Sequence, residues 1–208
     1  ELQQEIPSVY IKSIDVTSPD ATSKINEFIS EMGGMDLFFL ASGIGKQNPA
    51  LDEAIELQTL ETNGVGFTRA ITAAYRYFRQ QGGGHIAAIT SIAGTKGMGP
   101  APSYSATKKF QSTYLQALAQ LAYLEKIPIK FTDIRPGFVD TALLQDDHYY
   151  PMKMTPQKVA YSIVKAIDRR RRIKIIDYRY ALLVFFWRLF PRFIWEKPRF
   201  ILRKFFGF

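Results

Sequence analysis

Cysteine is absent from this 208-residue chain. No disulfide framework, thiolate nucleophile or Cys-based metal site is open to it. Histidine is scarce: the two present, His85 and His148, lie far apart and form no H-E-x-x-H or similar ligand spacing. A metal enzyme is therefore not expected, and no metal ligands are assigned. Acidic residues are outnumbered, 19 Asp and Glu against 27 Lys and Arg, for a formal net charge of +8. The basic excess crowds the chain from Arg169 onward, which aims that end at an anionic partner, membrane or nucleic acid. The opening ELQQEIPSVY is polar and carries no apolar stretch of the secretory kind. Internal repeats and low-complexity linkers are also missing.

What remains is a chain that is 47% hydrophobic, enough for one sizeable core. Glu1–Glu5 reads as the end of a helix. The segment Val9–Val16 and the stretches Leu37–Ala41, Ile86–Thr90, Ile129–Ile134 and Ile173–Ile176 read as strands. Between them, helical spacing recurs after Ser18-Pro19-Asp20, over Leu51–Leu60, Val65–Arg79 and Ser103–Glu125, and after Thr155-Pro156. Gly33-Gly34, Gly82-Gly83-Gly84 and Pro136-Gly137 punctuate them. Strands alternating with helices predict an α/β fold with a parallel sheet. One domain is expected over residues 1–177, followed by a basic, aromatic extension over 178–208.

Ser91, Tyr104 and Lys108 fall in one short stretch. Ser91 closes an apolar strand. Tyr104 and Lys108 are four apart, so on a helix they share a face, one turn from each other. A hydroxyl, a phenol and an ammonium so placed make a proton-transfer group. Singly, each has an ordinary role as strand cap, interface tyrosine or solvated charge.

Together with other motifs, this stretch resembles the short-chain dehydrogenase/reductase family from about Val9 to about Ile176. The family's Y-x-x-x-K stands as Tyr104-Ser105-Ala106-Thr107-Lys108, with its serine, Ser91, thirteen residues earlier. Its active-site asparagine matches Asn63, its P-G motif matches Pro136-Gly137-Phe138-Val139-Asp140-Thr141, and its adenine-side aspartate matches Asp15, beside Val16. The resemblance implies a doubly wound Rossmann-like sheet and an NAD- or NADP-dependent oxidoreductase interconverting an alcohol and a carbonyl. A free phenol has a pKa of about 10. In the implied mechanism Lys108 lowers that value and bonds the nicotinamide ribose, while Tyr104 exchanges the proton. Ser91 polarises the substrate oxygen. Asn63 bends its helix and holds a water leading from Lys108 to solvent. Gly43 and Gly45 flank the cofactor, and Pro136, Gly137, Val139 and Thr141 hold the nicotinamide carboxamide. The rival reading is a non-catalytic member, a cofactor sensor or scaffold.

Two departures stand out. The family's N-N-A-G is replaced by Leu40-Ala41-Ser42-Gly43, and its first strand with the T-G-x-x-x-G-x-G phosphate turn is absent. In the family order 3-2-1-4-5-6-7 this leaves a hole in the sheet and open edges. The expectation is that roughly fifty preceding residues, two βα units, belong to the whole protein. NAD versus NADP is set in the absent part.

The tail YALLVFFWRLFPRFIWEKPRFILRKFFGF interleaves aromatics with Arg and Lys. Its longest apolar run, Ala181–Trp187, is far short of the ~20 residues a spanning helix needs. It suits a segment lying in a membrane interface, or packing over the substrate cleft or a partner subunit. Nucleic-acid binding is not expected, since no recognition module accompanies the charge. The resemblance implies a homo-oligomer, dimer or tetramer, through the two long helices. A lid over 142–154, with Tyr149 and Tyr150, suits a small or lipid-like substrate. His148 is read as a loop residue and His85 as a strand-entry residue. The expected location is the cytoplasm, with the tail at the inner membrane surface.

Overall fold

The computed structural model describes residues 8–141, 144 and 150–197. Glu1–Glu5, His148, Tyr149 and the last residues of the tail lie outside them.

Four parallel strands form one sheet in the order β1-β2-β3-β4: Leu37–Leu40, Gly84–Ile89, Ile129–Arg135 and Ile173–Ile175. β2 and β3 are buried on both faces, which accounts for their unbroken apolar reading. Helices α1 (Ala21–Glu31), α2 (Glu53–Leu60), α3 (Phe67–Gln81), α4 (Pro102–Leu124), α5 (Pro156–Asp168), α6 (Tyr178–Leu189) and the short α7 (Arg192–Trp195) cover it. A π-helical turn, Glu61–Gly66, joins α2 to α3, so the long helix expected from Val65 is one continuous rod from Glu53 with a widened turn inside it.

The strand expected over Val9–Val16 does not form: residues 9–15 join no ladder. A parallel strand exists only by pairing, and no strand lies beside this segment to accept its backbone. Ile14 and Val16 still pack onto the core, because their burial does not depend on the ladder. The missing neighbour of this segment corresponds to the expected gap beside β1. The four strands are contiguous, and the open edge is that of β1, where Leu37 and Phe39 are exposed.

Two apolar clusters sit on opposite faces. One gathers Ile71, Phe78, Ile86 and Leu115 under α1, α3 and α4. Phe78 fits because Gly84 has no side chain; a Cβ there would lie 2.1 Å from its ring. The other gathers Ile134, Ile163, Ile176, Tyr180 and Trp187 under α5 and α6. The start of the extension is thus part of the core, capped by the Asp177 carboxylate, which accepts from the Arg179 amide at 3.0 Å.

Candidate active site

The C-terminal ends of β2 and β3 set the site. Thr90, just past β2, donates to Asp133 Oδ1 at 2.6 Å, and the same carboxylate receives the Arg135 guanidinium. Ser91 follows with an extended backbone and caps the 3-10 turn Ile92–Thr95, its Oγ accepting from the Ala93 amide at 3.1 Å. The Ile92 amide donates to the Pro136 carbonyl at 3.1 Å, tying this turn to the Pro136-Gly137 corner.

Helix α4 crosses behind Ser91 at close range. A Cβ on Gly94 would stand 2.6 Å from the backbone carbon of Lys108, so only glycine admits the helix here. Lys108 is 4% exposed. Its Nζ donates to the Ile89 carbonyl at 3.1 Å and lies 5.7 Å from the centre of the Tyr104 ring. Burial pulls its pKa down to about 8, against the attraction of Asp133. The half-buried Tyr104 phenol is pushed up by burial, and hydrogen bonding to Ser91 opposes that rise. Lys108 thus faces both the Tyr104 ring and the Ile89 carbonyl.

Asn63, in the π turn, is fully buried. Its Oδ1 accepts from the Ile44 amide at 2.9 Å; its Nδ2 donates to the Ile44 carbonyl at 2.7 Å and to Thr107 Oγ1 at 3.3 Å. Its own carbonyl accepts from Gln111 Nε2 at 2.9 Å. The side chain therefore holds the loop after β1. The loop covers the other residues. A Cβ on Gly43 would stand 3.3 Å from both Asn63 Oδ1 and Lys108 Nζ, and one on Gly45 would stand 2.6 Å from the Tyr104 ring. Asn48 pins the loop's far end, donating to Glu56 Oε1 at 2.8 Å, while Glu56 Oε2 accepts from the Ser103 amide at the start of α4.

The remaining assigned residues divide. Gly137 packs against Tyr180, whose ring a Cβ would meet at 2.3 Å. The Phe138 amide donates to the Tyr180 hydroxyl at 3.1 Å, and that hydroxyl reaches the Pro151 carbonyl at 2.9 Å. Val139 bridges to Met154, and Thr141 is exposed. Tyr150 spans the cleft: its ring lies 4.8 Å from Phe138 and its hydroxyl accepts from Gln47 Nε2 at 3.1 Å. Asp15 lies apart from Ser91. Its Oδ1 accepts from the amide and the hydroxyl of Thr17, which hold its pKa down, and it borders a cavity of about 680 Å³ with Leu57, Gln58 and Glu61. Val16 rests against Gly66 of the π turn. His85 is structural, its Nε2 2.9 Å from Thr132 Oγ1.

Sequence reasoning did not assign Ile44, Thr107 or Gln111. Gln111 carried a signal: a polar residue one turn past Lys108 on the same inward face.

These residues fit the nicotinamide end of a dinucleotide. Gly43 keeps the backbone bare between Asn63 and Lys108, and Lys108 has two N–H groups beyond the one given to Ile89. No glycine-rich phosphate turn occurs in the sequence.

Residues 1–149 match a family model described as short chain dehydrogenase. An uncharacterized oxidoreductase of Myxococcus xanthus is 30% identical over 139 residues, covering 65% of this chain and 54% of that protein. The chain so aligned spans about half the length of that relative. An uncharacterized oxidoreductase of Mycobacterium tuberculosis is 27% identical over 211 residues, covering 99% and 80%. Among solved structures, a short chain dehydrogenase from Burkholderia cenocepacia in complex with NADP shares the fold with a TM-score of 0.76 at 16% identity, covering 90% of this chain and 77% of that one. A 7α-hydroxysteroid dehydrogenase complexed with NADH and 7-oxo glycochenodeoxycholic acid shares it with a TM-score of 0.71 at 22% identity, covering 84% and 77%.

Proposed function

This chain belongs to the short-chain dehydrogenase family, a family of NAD- or NADP-dependent dehydrogenases and reductases, and we propose that the whole protein reduces a carbonyl, or oxidises an alcohol, of a small or lipid-like substrate. The observation that carries this reading is the meeting of Ser91, Tyr104 and Lys108 at the end of β2, with the Tyr104 phenol biased by Ser91.

A nicotinamide coenzyme, when bound, would supply the hydride. Ser91 donates to the substrate oxygen as negative charge gathers on it. Tyr104, kept neutral by burial, gives that oxygen its proton, which suits reduction at neutral pH. Lys108 would offer its remaining N–H groups to the ribose. Asn63 holds the Gly43–Gly45 loop over both. Pro136, Gly137, Val139 and Thr141 would wall the nicotinamide side, and Asp15 and Val16 the adenine side. A cofactor-sensing member without turnover is the second reading, favoured by the bare Gly45 backbone lying on the Tyr104 ring.

The assembly proposed is a homo-oligomer, supported by the exposed Phe110, Leu121, Tyr123 and Leu124 along α4. The proposed location is the cytoplasm; among the described residues no helix is long and apolar enough to cross a membrane. Oxidation of NADH and NADPH against a panel of ketones and aldehydes, comparing the whole protein with Ser91→Ala, tests the activity. Turnover lowered about 100-fold or more in the variant supports it; coenzyme binding without turnover on any carbonyl or alcohol favours the sensor.

A further inference from the structure

Helix α6 is apolar on both faces. Tyr180, Val184 and Trp187 point inward and are buried. Opposite them, Leu182, Phe185, Phe186 and Leu189 are 54%, 60%, 58% and 65% exposed, at spacings of three and four that draw one stripe along the helix. Phe193, on α7, extends it at 67% exposure. An unbroken apolar stripe on a surface helix is uncommon unless something covers it.

The charges around the stripe choose the covering. From Tyr178 to the end of the sequence there are seven cations (Arg179, Arg188, Arg192, Lys197, Arg199, Arg203 and Lys204) against the single acid Glu196. Arg179 is held by Asp177 and Arg192 by Glu196, which leaves most of that charge without an acidic partner nearby in sequence. A second copy of the chain would meet the stripe by a two-fold axis, setting the same cations against each other. An anionic bilayer meets both features at once: aromatic and aliphatic side chains enter the headgroup boundary and the cations pair with phosphates.

The inner face of the same segment grips the site. Trp187 Nε1 donates to Thr95 Oγ1 at 2.9 Å, Trp195 Nε1 to the Gly97 carbonyl at 2.7 Å, and Lys96 Nζ to the Phe190 carbonyl at 2.8 Å. Tyr180 holds Gly137 and Phe138. We propose that the outward stripe of α6 and α7 docks the protein on an anionic lipid bilayer, holding the loops that flank Ser91 at the lipid surface. This deepens the lipid-like substrate class of the proposed oxidoreductase and rests on that reading; the docking itself does not need turnover.

Flotation of the whole protein with phosphatidylcholine vesicles, and with vesicles mixing in phosphatidylglycerol, tests it. The protein floats with the mixed vesicles, and Phe185→Ser/Phe186→Ser/Leu189→Ser lowers the bound fraction at least tenfold. Arg188→Gln lowers it roughly fivefold, a loss that high salt erases. Light scattering and activity on a water-soluble carbonyl are followed in the same samples. Unchanged oligomer mass, thermal melt and activity in the triple variant, with lost flotation, support docking. Equal flotation of variant and parent, no flotation with either vesicle, or a triple variant that falls to a smaller oligomer would overturn it, the last assigning the stripe to a second copy. Flotation in a protein without turnover would sink the oxidoreductase reading and leave the docking standing.

Discussion

Asn63 grips Ile44 with both halves of its amide, accepting from the Ile44 amide at 2.9 Å and donating to the Ile44 carbonyl at 2.7 Å. One buried side chain thereby fixes the loop that lies on Tyr104 and beside Lys108. Replacing it by alanine removes both bonds and leaves Ile44's polar groups and Thr107 short of a partner. The expected cost is about 2–4 kcal/mol in urea unfolding. The KM for the coenzyme should rise, because the Gly43 cradle loosens, and an unchanged KM with only the stability lost would confine Asn63 to a structural role.

Two glycines carry opposite kinds of constraint. A Cβ at Gly45 meets the Tyr104 ring, which can tilt away; one at Gly94 meets the backbone of Lys108, which cannot without moving α4. Gly45→Ala should cost about 1–3 kcal/mol and depress turnover through a displaced phenol. Gly94→Ala should cost more than Gly45→Ala in thermal unfolding. The reverse ranking would contradict the packing described.

Lys108 makes the fold pH-dependent. Its folded pKa, about 8, lies below the ordinary lysine value of 10.5. Between these pH values the unfolded chain holds the proton and the folded one does not, so this residue's contribution to stability improves as pH rises from about 8 to 10.5. Below pH 8 the buried ammonium costs on the order of 3 kcal/mol. Lys108→Met should therefore unfold later than the parent at pH 7, with the gap closing toward pH 10. Coenzyme affinity should run the other way, falling above about pH 8 as the cation is lost. Unfolding curves at several pH values and coenzyme titrations read the two effects separately.

Much of the fold was legible because buried parallel strands write themselves as short apolar runs. Leu37–Ala41, Ile86–Thr90, Ile129–Ile134 and Ile173–Ile176 each fall within a residue or two of a strand. Val9–Val16 also reads as a strand, with Lys12, Ser13 and Asp15 among its apolar residues, but a strand needs a neighbour, which composition does not show. The π turn was not legible, since periodicity does not distinguish a widened turn from an ordinary one. Ser91, Tyr104 and Lys108 were legible through spacing, and the structure brings them together. Which way Lys108 points depends on the Ile89 carbonyl, contributed by β2. Asn63's attachment to Ile44 joins residues nineteen apart and left no local pattern to read.

The central claim is that Tyr104 delivers the proton. Initial rates of NADH and NADPH oxidation with an accepted carbonyl, measured for the whole protein and for Tyr104→Phe across a pH series, test it most directly. The account predicts a loss of about 100- to 10,000-fold in kcat with an intact thermal melt and preserved coenzyme binding. A Tyr104→Phe protein that keeps its full rate would contradict it.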